Sequence, residues 1–347
     1  MNYIGGIMKI KKDALLLAGA LLCAGALIVF SYKAKEGALY GAALAEKVVI
    51  PSLLPLLIIF NFILNCGAGR VLETILSPFT YGVLRLPKCT GAAVFFGLIG
   101  GYPTGALLTA NLYRNSDIDS STAKRLLRFN FSGGAGFIIT AVGTGILRNR
   151  QQGLILFFSV IISALICACA GALIWKGAKA GDSDFMAMPA ADALNKSVEQ
   201  SARSVINMAA CIILFCTLQG IVSIPHILSP LIEITSGTAE VGTEYPLPVL
   251  AFFLAFGGFC IHLQIFSIIR EVGMQYADFL LWRVINGILS CLVCMLLLKI
   301  FPNANAVFSN YSDSIIRPTS VNAALSVLML LGSAVLIFDL ENRKRKC

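Results

Sequence analysis

The sequence predicts an all-α polytopic membrane protein, and three observations carry that prediction. Hydrophobic residues make up 57% of the 347 and charged residues only 13%, with a mean hydropathy of +0.83. A water-soluble domain carries about a quarter charged residues, so this chain has too little polar surface to cover a globule in water. Its apolar runs approach or exceed the roughly 18 residues of a spanning helix and lack the alternation of barrel strands. Two of those runs are interrupted by glycine at matching places in the two halves of the chain.

Taken in order, Lys9, Lys11 and Lys12 precede the apolar run Ala14–Tyr32. That run is longer than a signal-peptide core, has no A-x-A site, and is followed by Lys33 and Lys35, so it reads as a first span. Further spans are expected at Val48–Cys66, Thr122–Leu147, Gly153–Trp175, Ser204–Val222, Phe279–Ile300 and Val321–Phe338. The polar stretch Lys176–Ser201 joins two halves. The expected division is residues 1–47 as an N-terminal transmembrane helix and linker, 48–175 as a first repeat, 176–202 as a link, 203–340 as a second repeat, and 341–347 as a basic tail.

The interrupted runs are Gly91–Tyr113 and Leu247–Ile269. The first breaks at Gly100-Gly101-Tyr102-Pro103-Thr104-Gly105 and the second at Gly257-Gly258-Phe259-Cys260-Ile261-His262. Glycine loosens a helix interior and proline removes a backbone donor. Each half of a run is then about 15 Å long, half a hydrocarbon core, which predicts a re-entrant hairpin at each break. After the breaks the halves continue alike. An arm ends at Arg114 or Arg270; then come Arg128-Phe-Asn130-Phe-Ser132-Gly133-Gly134 or Arg283-Val-Ile-Asn286-Gly287 with Ser290. With re-entrant hairpins each half crosses three times, an odd number that inverts one repeat relative to the other. The balance of Lys and Arg over the loops favours a cytoplasmic N-terminus, with the tail Arg343–Lys346 against it.

Broken helices at membrane depth expose backbone groups, which are tolerated where they are buried in protein or line a cavity. The expected substrate-binding residues are therefore Gly100, Gly101, Tyr102, Pro103, Thr104 and Gly105 at the first break, and Gly257, Gly258, His262 and Gln264 at the second. Asn130, Ser132, Gly133, Asn286 and Ser290 join them from the following spans. Half-helix N-termini favour an anionic group. The competing explanations are close helix packing by glycine and ordinary interhelical bonding by Asn and Ser. His262, one of two histidines, is open to a proton-coupling or anion-contact role, or to bonding the nearby backbone. Glu233 is open to pairing with a cation, capping a helix, or facing solvent. Arg125 and Arg128 are expected to snorkel to the interface.

The +9 net charge sits in short loops and tails rather than in a stripe interleaved with aromatics, so no nucleic-acid partner is expected. Most of the eleven cysteines, including Cys291 and Cys294, lie in apolar runs and read as small buried hydrophobes. The chain has no H-E-x-x-H, G-x-S-x-G, P-loop or dinucleotide fingerprint, and its two histidines are isolated. No enzyme activity, cofactor or metal is expected.

Five stretches carry a family resemblance: Val48-Val-Ile-Pro-Ser-Leu-Leu-Pro55, Gly97-Leu-Ile-Gly-Gly-Tyr-Pro-Thr-Gly105, Arg125-Leu-Leu-Arg-Phe-Asn-Phe-Ser132, Ile232-Glu-Ile-Thr-Ser-Gly237 and Phe256-Gly-Gly-Phe-Cys-Ile-His-Leu-Gln264. In these the sequence resembles the YlbJ (SpoVV) family of sporulation integral membrane proteins. Its first half is also similar to the nucleoside-recognition, or Gate, domain. It departs from the family at Phe259-Cys-Ile261, where small residues are the pattern, and at Gly133-Gly-Ala-Gly136, which lacks a proline. The resemblance implies an inverted-repeat transporter that moves dipicolinate across the outer forespore membrane. The resulting expectation is a secondary transporter of a small anionic or heteroaromatic solute, embedded in the lipid bilayer. A nucleoside or dicarboxylate carrier, a non-transporting scaffold for spore formation and an intramembrane hydrolase are the alternatives, and a homo-oligomer is left open.

Overall fold

The computed structural model describes residues 2–174, 188–222 and 224–302, and every regular element among them is helical. The expected span Val321–Phe338, the basic tail and half of the polar link lie outside the described residues. Five helical stretches have the length and apolarity to cross a membrane: Ser31–Asn65, Arg150–Ile174, Ala190–Ile221, Leu247–Ile268 and Tyr276–Ile300. A bent pair, Gly69–Val83 with Lys88–Ile99, adds a sixth if counted as one span. The protein is an integral membrane protein.

Helix α1 (Asn2–Val29) leads into α2 (Ser31–Leu44), a π-helical turn (Ala45–Val49) and α3 (Ile50–Asn65). The apolar part of α1, Asp13–Val29, is shorter than the spanning helices. Where a linker is expected before Val48, α2 and α3 form one 35-residue helical stretch. Then come α4 (Gly69–Ser77), a π-helical turn (Pro78–Val83), α5 (Gly91–Ile99), α6 (Tyr102–Arg114) and α7 (Ser120–Phe129), the last capped by the Asp119 carboxylate, which accepts from Thr122 N at 2.9 Å. A π-helical segment (Gly136–Ile146) precedes α8 (Arg150–Ile174) and α9 (Ala190–Ile221). The chain continues through α10 (Ser229–Ile232), α11 (Ile234–Val241), α12 (Leu247–Phe256), α13 (Gly258–Ile268) and α14 (Tyr276–Ile300).

Two groups of long helices flank the short ones. Helix α9 packs along α2 and α3. Gly41 permits that approach, since a Cβ there would lie 2.8 Å from Ile213 Cα. Polar side chains fix the register: Asn61 Nδ2 donates to Ser201 Oγ and Asn65 Nδ2 to Ser197 Oγ, both at 2.9 Å. The second group is α8, α12 and α14, packed pairwise. Helices α6, α7 and α13 lie between the groups.

Several expectations are corrected here. The segment Thr122–Leu147 is not one span, because α7 stops at Phe129 and residues 130–133 run without helix before the π-helical segment. The second break is not a hairpin tip. Leu247–Ile268 forms one stretch of 22 residues interrupted at Gly257, about 33 Å of rise and so long enough for a full crossing. In the first half the structure adds a 114° bend around Leu84–Pro87, one element before the Gly100–Gly101 break, across which α5 and α6 pack against each other. Arg125 holds the reversal. Its guanidinium is buried and donates to Arg85 O at 3.1 Å and to Leu84 O. It does not snorkel. Arg128 does not either, because it pairs with Asp278 at the start of α14, Nη2 to Oδ2 at 2.7 Å.

Candidate functional site

Both glycine breaks occur where the sequence places them, and they meet. Gly101 (φ +109°) starts α6, and Gly257 (φ +89°) ends α12 in the left-handed region that glycine alone enters freely. A Cβ on Gly257 would lie 2.7 Å from the Phe131 ring and 3.2 Å from that of Tyr102. The second break therefore abuts residues from the first break and from the unwound stretch after α7. The Gly133–Gly134 backbone closes on Gly101 from the same stretch; a Cβ on Gly134 would lie 2.5 Å from Gly101 N.

Interrupting α12 orphans carbonyls at its C-terminal end, and in lipid these need partners. Two side chains supply them. Tyr102 Oη donates to Leu254 O at 2.8 Å, a bond from one break to the other. His262 Nε2 lies 2.9 Å from Phe256 O and Nδ1 lies 3.3 Å from Tyr276 Oη. Because a carbonyl only accepts, Nε2 carries a proton and donates to Phe256 O. The imidazole is fully buried among Phe256, Phe259, Phe279, Tyr276 and Phe131. This is the backbone-bonded geometry left open in the sequence, and both ring nitrogens are committed to it.

The second break also rests on a third interruption. A Cβ on Gly258 would lie 3.0 Å from Pro230 O and 3.2 Å from Ile234 N, so the break sits against the junction of α10 and α11. Glu233 occupies that junction, fully buried, and its carboxylate caps α11 by accepting from Thr235 N at 3.0 Å and Ser236 N at 2.5 Å. Ser236 Oγ in turn donates to Gln219 on α9 at 3.1 Å. Of the three roles open to Glu233, the helix cap is the one observed.

Other expected residues are divided among neighbours. Asn130 wedges between α5 and α6, donating through Nδ2 to Ala93 O at 2.9 Å; any side chain at Gly97 or Gly105 would overlap it. Ser132 Oγ accepts from Gly134 N at 3.2 Å. Gln264 bonds Cys260 Sγ at 3.4 Å. Gly100, Pro103 and Thr104 are buried around the first break. Asn286 faces α8 instead, where Ser163 Oγ donates to its Oδ1 at 2.6 Å, and Ser290 is buried one turn further along α14. Asn130 and Asn286 therefore occupy separate surroundings rather than one shared site.

Arg283 is the residue that sequence reasoning missed. It lies in α14 with no exposed surface, its guanidinium stacked over Phe131 (4.5 Å) and Phe279 (5.4 Å). It donates to Phe131 O at 3.4 Å and to Arg128 O, the carbonyls freed where α7 ends. A charge inside a spanning run is the signal that could have found it. Several buried side-chain atoms on these elements have no partner among the described residues: Thr104 Oγ1, Asn130 Oδ1, Arg283 Nε, Asn286 Nδ2 and Ser290 Oγ. Beside α5 and α6 a cavity of about 1090 Å³ is lined by residues including Arg70, Glu73, Lys88, Asn111, Asp117 and Lys196. No group of His, Cys, Asp and Glu among the described residues could hold a metal ion.

No protein-family model and no solved structure matches the chain. A curated protein does: the chain is similar to the sporulation integral membrane protein YlbJ of Bacillus subtilis, at 23% identity over 94% of this chain and 93% of that protein. The match runs through nearly the whole of both chains, and it makes this helical membrane protein a homologue of a sporulation membrane protein.

Proposed function

We propose that the chain is a secondary transporter of a small anionic or heteroaromatic solute, a member of the YlbJ family acting in spore formation, with dipicolinate as the leading substrate. One observation carries the reading. Two glycine-broken elements meet inside the membrane-spanning bundle and are bonded to each other, Tyr102 Oη to Leu254 O. A packed span that served only as a scaffold has no use for paired interruptions, each of which leaves backbone groups to be satisfied. A solute pathway does, because half-helix ends present dipoles and free donors at mid-bilayer. In this reading the described arrangement is closed over the site, and passage requires the two breaks to part.

A further point supports it. Asn130 and Asn286 follow Arg114 and Arg270 by the same number of residues, as two repeats of a Gate-like unit would require. Nothing in this mechanism makes or breaks a covalent bond. The test is uptake of labelled dipicolinate, nucleosides and dicarboxylates into proteoliposomes, wild type against Gly101→Leu. Saturable uptake by the wild type, abolished in the variant, is the expected result. No flux of any of these solutes, with the protein correctly inserted, leaves the scaffold reading in its place.

A further inference from the structure

The guanidinium of Arg283 is a permanent cation with five N–H donors. The structure gives it two backbone carbonyls and two aromatic faces, while Nε–H has no partner among the described residues. Its neighbour Arg128 takes Asp278, and among the described residues no carboxylate pairs with Arg283. Dipoles at the end of α7 offset part of the charge. A full countercharge is missing, and a buried cation without one is unfavourable in a spanning segment.

The deficit continues along the same face of α14. Asn286 lies three residues on and Ser290 seven, positions that share a helix face. Both are fully buried, and both carry a polar atom, Nδ2 and Oγ, without a partner among the described residues. Across the seam, α8 contributes Ser163 to Asn286 and nothing to Ser290. If Arg283 only capped α7, the carbonyl contacts would account for it. The open Nε–H and the two open groups beyond it would remain without purpose. Each of these groups can donate, and the partner that satisfies a guanidinium and neighbouring donors together is an acceptor with full negative charge and more than one oxygen.

We propose that Arg283, Asn286 and Ser290 form an anion-binding face on α14 that takes a carboxylate of the transported solute, with Arg283 as its countercharge. This rests on the transporter reading and names the group in the site that carries the charge. The solute reaches this face when the break at Gly257 moves away from Phe131, whose ring lies on the guanidinium.

The full chain in detergent is titrated with dipicolinate and with its neutral diamide, following both thermal stability and binding, and uptake is measured in proteoliposomes. The wild type is expected to bind the dianion and not the diamide. Arg283→Gln is expected to lose affinity about 100-fold or more, as loss of charge-assisted bonds implies. Asn286→Asp covers the case in which Arg283→Gln does not fold, because it tethers a carboxylate one turn from the guanidinium. It is expected to raise the unliganded melting temperature and to lower affinity at least about tenfold. Wild-type affinity for the dianion in both variants overturns the proposal and leaves transport standing. So does a wild type that moves nucleosides but no carboxylate. A wild type that moves none of the solutes removes the transporter reading along with it.

Discussion

Replacing Gly257 by alanine tests the meeting of the two breaks. The residue ends α12 at φ +89°, where an L-side chain costs about 1–2 kcal/mol. The added Cβ would also stand 2.7 and 2.8 Å from two atoms of the Phe131 ring and 3.2 Å from the Tyr102 ring. Phe131 cannot easily swing aside, since the Arg283 guanidinium lies 4.5 Å from its centroid and the Tyr102 ring 5.1 Å away. Overpacking of this kind costs about 1–3 kcal/mol, so Gly257→Ala should destabilise by about 2–5 kcal/mol. Gly19→Ala is the control, because nothing lies within 4 Å of the Cβ it adds. Equilibrium unfolding in mixed micelles measures both. If Gly257→Ala and Gly19→Ala unfold alike, the two breaks do not meet as described.

Tyr102→Phe removes the donor to Leu254 O and leaves a buried carbonyl open, a loss of about 1–3 kcal/mol, read in the same unfolding assay. Arg125→Met frees the Leu84 and Arg85 carbonyls at the 114° reversal and should make the half-buried Cys89 label faster with a thiol reagent. A double-mutant cycle on Arg128 and Asp278, whose side chains are 17% and 28% exposed, should return a coupling of about 1–2 kcal/mol. The same cycle on Arg114 and Glu271, 42% and 60% exposed, should return less than about 1 kcal/mol.

The breaks at Gly100–Gly101 and Gly257–Gly258 were legible in the sequence because two adjacent glycines inside an apolar run leave few other outcomes. The course of the chain beyond each break was not. Whether the chain turns back or carries straight on depends on the neighbour that takes the freed carbonyls, and Tyr102 and His262 reach α12 only through the fold. The reversal at Leu84–Pro87 was missed for a related reason, since its anchor, Arg125, is some forty positions on in sequence and looked like an interfacial residue. The unwound stretch after Phe129 was hidden by apolar composition, which cannot tell an α-helix from a broken one. Arg283 was visible as a charge in a spanning run. Its importance emerged only when Asp278, the nearby acid, proved to belong to Arg128.

Counterflow in proteoliposomes tests transport most directly. Vesicles are loaded with unlabelled solute, diluted into a trace of the labelled form, and followed over time. A carrier with one site alternately open to each side gives a transient accumulation of label above equilibrium, and this protein should do so with dipicolinate. Label that enters no faster than into protein-free vesicles, for dipicolinate, nucleosides and dicarboxylates alike, would contradict the account.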